Sequence, residues 1–265
     1  MAPPFPEGWR GLIVTLCALL AGCGNLGSWR LLAPADHGME VIRPGLYVEP
    51  AMSAAERNDL MGQINHGHRL VTAFFGTIES SPAIVACVST ECAVRFGSGG
   101  GRAAAFGDSA IRLAPNGLTA AMVAHEWGHA ELYRRVGGVW AIHRIPRWFD
   151  EGIAVVIADE ARHSAENWAE IQRRGYPTPA LSELVSYRDW IKALQHYGEM
   201  RGDHPENLRV IYSTAGNELR RWLACAGKAG LIELLTAIRN GEEFASAYAG
   251  LERRCANRAE SGRTG

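Results

Sequence analysis

What this 265-residue chain has little of narrows its options first. Leu12 to Leu20 falls short of the ~20 apolar residues that a membrane helix needs, and no later run is long enough. The formal net charge is −1 and no basic stripe is visible, so nucleic acid is not an expected partner. There is no CxxC pair, so the cysteines do not read as a zinc site. Internal repeats and low-complexity blocks are absent, which removes solenoids and tail-like architectures. The glycine-rich stretch from Gly97 to Gly107 has no Lys-Ser or Lys-Thr pair and no helix start behind it. It therefore reads as a flexible hairpin connection rather than a phosphate-binding loop. Hydrophobic residues make up 47% and charged residues 21%, ordinary for a globular protein with one sizeable core or two small lobes around a cleft.

Against that plain background stands His125-Glu126-Trp127-Gly128-His129, an HExxH. Leu118 to Val136 holds no Pro, is rich in Ala, Leu, Met and Glu, and ends in Arg134-Arg135 before Gly137-Gly138. Cations in a last turn followed by glycine predict a helix stop, so the motif falls in the middle of a helix. Two His four residues apart share one helix face, about 5–6 Å apart at Cβ, and both imidazoles then reach one zinc ion. Glu126 projects from the same side as a general base, which points to metal-assisted hydrolysis of a peptide bond.

A catalytic zinc takes three protein ligands and keeps one position open. A Gly and a third His soon after the motif would supply the metzincin pattern, but those places hold Leu132 and Arg135. Trp148-Phe149-Asp150-Glu151-Gly152 opens a second helix-compatible run, Ile153 to Ala158, and Glu151 is the preferred third ligand. His143 and Asp150 are its rivals. Asp150 is also a candidate to orient a zinc-bound imidazole from behind.

With these residues in place the chain resembles the gluzincin metallopeptidases, the clan of thermolysin and aminopeptidase N, and more narrowly the "peptidase MA-like" bacterial proteins. The likeness runs from about Pro82 to about Cys255 and includes Tyr212, Ala215, Leu219, Trp222-Leu223 and Gly227. It implies one Zn2+ per chain held by His125, His129 and Glu151, with Glu126 as base and a peptide or protein as substrate. It further implies that the Ile111–Leu113 strand borders the cleft and holds an extended substrate by β-addition. Tyr212 either packs or offers its phenol to the oxyanion. The chain departs from the clan in three ways: a longer gap from His129 to Glu151, no Gly-Ala-Met-Glu-Asn exopeptidase motif, and no counterpart of the usual His donor. An endopeptidase is expected, and a binding or scaffold protein without turnover is the rival reading.

The N-terminus reads as targeting. Arg10, the apolar run and Leu20-Ala21-Gly22-Cys23 resemble a bacterial lipobox, with Cys23 lipidated; Cys17 is a poor rival because Leu16 precedes it. Gly24 after the Cys favours the outer membrane, so the expected location is the cell envelope facing the periplasm, lipid-anchored. An oxidising compartment favours disulfides among the four remaining cysteines, Cys87–Cys92 and Cys225–Cys255 being the preferred pairing of three.

The expected organisation is a signal peptide over 1–22, a lipidated Cys and tether over 23–39, a catalytic domain over 40–256 and a frayed tail over 257–265. The domain is expected to be α+β. A small mixed or antiparallel sheet lobe (40–136) packs on the HExxH helix, and a mostly helical lobe (137–256) follows. Strands are predicted at Gly45–Val48, Ala83–Val88 and Ile111–Leu113. Helices are predicted at Ser53 to about His66, Ser164–Arg174, Leu181–Tyr197, Asn207–Ala226, Lys228–Arg239 and Glu242 to about Arg254. His66, His68, His196 and His204 read as surface imidazoles, with His196 and His204 the only proton-donor candidates among them.

Overall fold

The computed structural model describes residues 27–199 and 209–261. The lipobox-like segment with Cys17 and Cys23, and His204, lie outside the described residues. No helix among the described residues is long and apolar enough to cross a membrane.

A five-stranded mixed sheet has the order β1-β2-β3-β5-β4, with β1 Glu40–Arg43, β2 Leu46–Val48, β3 Ala83–Ala86, β4 Ala103–Phe106 and β5 Ala110–Leu113. β2, β3 and β5 run parallel, and the outer strands β1 and β4 pair antiparallel to β2 and β5. Alternation along β3 and β5 sends side chains to two buried faces. Ile84, Ala86, Ile111 and Leu113 meet Leu60, Ile64 and Val123 of the helices. Val85, Cys87 and Ala110 meet Leu31, Met39 and Phe96 on the other side.

That second face corrects the reading of a tether over 23–39 for residues 27–39. From Gly27 the chain is part of the fold, with short 3-10 helices at Ser28–Leu32 and Pro34–His37. Leu31 and Met39 are buried because Val85 and Phe96 would otherwise face water. The far end also differs: the last helix continues to Ser261, past the expected fraying point at 257.

The helices are α1 Ala54–Phe75, α2 Thr90–Arg95, α3 Ala120–Val136, α4 Arg147–Ala158, α5 Ala165–Arg173, α6 Tyr187–His196, α7 Val210–Arg239 and α8 Phe244–Ser261. A capping box between Ser53 and Glu56 starts α1, which runs two turns beyond the predicted end because Val71 and Phe75 are core residues. Thr119 caps α3, whose C-cap Gly137 adopts φ 108, a left-handed conformation that glycine accepts without a Cβ clash. The two helices predicted across Ala226–Lys228 are continuous as α7 but break direction at Gly227, where φ is 63 and ψ −174.

α4 is the hub. Phe149 lies 5.0 Å from Phe244 and 6.0 Å from Trp222, ring centroid to centroid, inside a cluster with Trp148 and Tyr248. Each such side chain removed from water contributes roughly 1.5–3 kcal/mol. Cys87–Cys92 ties β3 to α2, and Cys225–Cys255 ties α7 to α8, the pairing expected from sequence.

Close helix contact predicts a measurable cost at one glycine. A Cβ at Gly152 would stand 2.8 Å from the Ala215 carbonyl oxygen on α7, whereas one at Gly62 on α1 would meet nothing within 4 Å. Gly152→Ala is expected to lower stability in urea unfolding by about 1–3 kcal/mol. Gly62→Ala, the control, should be neutral or stabilising by up to ~1 kcal/mol.

Candidate metal centre

His125 and His129 leave one face of α3 with ring centroids 5.0 Å apart. Pro146 precedes α4 and sets its entry, so Glu151 falls one turn into that helix, opposite the two imidazoles. Glu151 Oε2 lies 3.5 Å from His125 Nε2 and 3.7 Å from His129 Nε2. It is buried and has no hydrogen-bond partner. Two atoms bound tetrahedrally at ~2.1 Å to one ion stand about 3.4 Å apart, so this triad fits zinc in donor type and spacing. The other cluster with ligand-like atoms, Glu49 with Cys87 and Cys92, is already spent. Its thiols form a disulfide, and the Glu49 carboxylate accepts from the Val88 and Ser89 amides.

Behind the triad lies a layer that fixes it. Asp150 Oδ1 receives His129 Nδ1 at 2.6 Å, leaving Nε2 to face the metal position. Asp150 is thereby turned away from the cluster that His125, His129 and Glu151 form. Arg147, one turn upstream on α4, donates to Asp150 Oδ2 and to Glu151 Oε1 together. Burial opposes the charge on Glu151, but Arg147 and His129 outweigh it and hold the carboxyl well below the usual range. Burial likewise opposes protonation of His129, and Asp150 and Glu151 outweigh it, so this imidazole sits well above its ordinary value. A metal arriving there displaces a proton.

The cleft in front of the triad has a volume of about 210 Å³ and is floored by Ala103, Ala104 and Ala105 of β4. Here the structure corrects the expected border strand. β5, with Ile111–Leu113, is paired on both sides by β3 and β4, so it has no free edge. At the cleft the edge strand is β4, inside the stretch expected to be a flexible connection.

Compared with known proteins, the chain matches no family model, no curated protein and no solved structure. The site therefore has to be read from its own residues.

Tyr212 and Tyr133 both line the cleft. The Tyr133 hydroxyl donates to Asp150 Oδ2 at 3.3 Å. Tyr212 lies against Trp190 and His163, and its phenol is raised by burial and then by the Glu151 charge, so it stays protonated. His143 lines a neighbouring cavity with Ile142 and Tyr187 and is not part of the triad. His68, on α1, packs edge-on against Trp127 of α3, and His196 ends α6 beside Tyr197; neither lines the cleft. Leu132 is core, and Arg135 pairs with Glu131, consistent with neither being a ligand.

Three residues of this site went unmarked in the sequence, Tyr133 among them. Arg147 was legible in principle, since i to i+3 and i+4 spacing to Asp150 and Glu151 places all three on one face. His163 carries no local signal. It is buried beside His125 and Glu126, with Nδ1 lacking a hydrogen-bond partner. Burial and then the Arg162 charge push its pKa down to about 3.

Asp150→Asn is expected to keep the fold and weaken zinc binding about 10–100-fold in a competition titration with a chelating dye. His163 gives a stability signature. The unfolded chain takes up its proton near 6.5 and the folded one only near 3, so His163 favours folding above pH 6.5 and that advantage is lost as pH falls toward 3. Between pH 6.5 and 4.5, urea unfolding of the chelated chain should lose about 2 kcal/mol that His163→Gln does not lose.

Proposed function

We propose that this chain is a zinc-dependent peptidase of gluzincin type, with His125, His129 and Glu151 as ligands and Glu126 as general base. The observation that carries the reading is the buried, unpartnered Glu151 oxygen facing both imidazole Nε2 atoms. A dry carboxylate oxygen left open costs on the order of 1–3 kcal/mol unless something fills the position. On this reading the sheet with α1 and α3 is one lobe, the helices from 137 to 256 are the other, and the cleft runs between them.

When bound, zinc supplies a Lewis acid for the scissile carbonyl and lowers the pKa of its water toward about 7. An extended peptide lies along β4, whose backbone groups pair with it and whose alanines leave room for its side chains. Glu126, on the same helix face as His125 and His129, takes the proton of the attacking water and returns it to the leaving amine. The Tyr212 hydroxyl, still protonated, donates to the oxyanion. Asp150 and Arg147 move no proton; they keep His129 and Glu151 in register.

The same reading places the chain in the bacterial envelope, tethered by lipid at Cys23 and facing the periplasm. The two disulfides suit an oxidising compartment. Its partners are then a peptide or protein substrate and the membrane, with no nucleic acid.

Elemental mass spectrometry of the purified chain is expected to find about one zinc per molecule. His129→Ala should abolish it, whereas Glu126→Gln should keep the zinc and lose at least ~10²-fold in cleavage of a mixed peptide pool. Zinc without cleavage in the unmodified chain would leave a scaffold protein of the same architecture; cleavage retained by Glu126→Gln would overturn the assigned base.

A further inference from the structure

A second cavity, about 290 Å³ in volume, opens directly off the metal cleft and shares Ala103, His125, Glu126 and Tyr212 with it. Its outer wall is cationic: Arg102, Arg162 and Arg209 line it, against the carboxylates of Glu160 and Glu126. Glu160 is fully used by two of the three guanidinium groups. Its Oε1 accepts from Arg102 Nη1 at 2.9 Å, and its Oε2 from Arg162 Nε and Nη2 at 3.0 and 2.7 Å. Arg209 has no carboxylate partner among the described residues. Its Nη1 donates to the Glu199 carbonyl at 3.2 Å, and its Nε is buried without a partner. The Glu199 carboxylate accepts from the Ile211 amide and does not line the cavity. Arg209 is also one of two non-glycine residues with positive φ among the described residues, at φ 50 and ψ 57 immediately before α7. Such a conformation is strained for a residue with a Cβ and persists where the surroundings, or a function, hold it.

The cavity's position gives it a direction. It abuts Gly100 to Ala103, the N-terminal end of β4, while the metal triad faces Ala103 to Ala105. A peptide pairing antiparallel to β4, the more stable mode, runs opposite to it. The residues after the scissile bond then lie at the Arg102 end. We propose that this cavity is the subsite for a substrate carboxylate on the C-terminal side of the scissile bond, read by Arg209 with Arg102 and Arg162. The inference rests on the peptidase reading above. The carboxylate comes from an Asp or Glu side chain or from the end of the substrate chain; guanidinium groups recognise both through the same paired hydrogen bonds.

Binding tests this separately from turnover. Acetylated, amidated alanine peptides carrying one Glu, Gln or Lys at each position in turn, and the Gln peptides with a free C-terminal carboxylate, are titrated into the zinc-loaded Glu126→Gln chain. Calorimetry is expected to show at least ~10-fold tighter binding of a Glu or free-acid peptide than of its Gln amide. A preference for Glu alone assigns a side-chain site, and a preference for the free acid alone assigns a chain-end site. Arg209→Glu, in the same background, should reverse the order in favour of Lys, an inversion that a merely structural residue would not produce. If Arg209→Glu does not fold, as judged by thermal melting, Arg102→Gln must lower the Glu-to-Gln ratio. Equal affinity for Glu, Gln and free-acid peptides, or a preference indifferent to these substitutions, overturns the proposal. With the unmodified chain, a carboxylate preference in binding but no cleavage would sink the peptidase reading and leave the subsite standing.

Discussion

Two carboxylates adjacent in sequence, Asp150 and Glu151, are nearly dry; both meet His129, and Glu151 faces His125 as well. Burying either charge alone costs several kcal/mol, and burying both side by side adds their repulsion. Arg147 resolves this by spanning them from the start of the same helix, one nitrogen on each. That leaves one oxygen of each carboxyl free. The Asp150 oxygen goes to the back of His129, and the Glu151 oxygen points forward between the two rings. The Glu151 oxygen between the two rings and the Asp150 oxygen behind His129 both keep their places through that one guanidinium.

The arrangement holds only if α3 and α4 keep their separation. Gly128 sits in the motif where a Cβ would fall 2.9 Å from Ile157 Cδ1, and Gly152 follows Glu151 where the Ala215 carbonyl is as close. Small residues at these places let α4 lie tightly between α3 and α7, while Trp148 and Phe149 anchor its start in the aromatic cluster. Glu131 steadies the other side of α3. It is fully buried, accepts from the Glu79 and Ser80 amides, and pairs with Arg135. Side chains fixed at both ends of two packed helices lose little entropy when an ion binds.

Local patterns made the site legible and left much of the sheet hidden. HExxH, the Gly137 stop and Asp150-Glu151-Gly152 are short-range signals on helices, and the structure brings these residues together as their spacing implies. β1 and β4 went unmarked, because Ala103-Ala104-Ala105 has neither β-branching nor alternation and only pairing with β5 makes it a strand. Residues 27–39 were misread for a related reason: Leu31 and Met39 are buried by a sheet face that no local window contains. Arg162 and His163 share one 3-10 turn, Ala161–His163, and Arg209 stands just before α7, so the meeting of these two segments beside His125 is a property of the fold alone.

The unpaired edge of β4 is a liability in any sheet protein, since free amides and carbonyls invite other chains to pair. Here the strand is four residues long and set against α3, with Arg102 at its start bound to Glu160 and to the Asn116 carbonyl. A folded partner's edge strand would have to enter between α3 and that ion pair. On the proposed reading a single extended peptide enters there, and the alanines at 103–105 leave its side chains space. The opposite edge, β1, is guarded differently, by a register irregularity between Val41 and Arg43 and by the Glu40–Arg57 pair. One edge is thus broken up and the other recessed. On the proposed reading, the recessed edge, which runs past His125, His129 and Glu151, is where an unfolded peptide rather than a folded surface would pair.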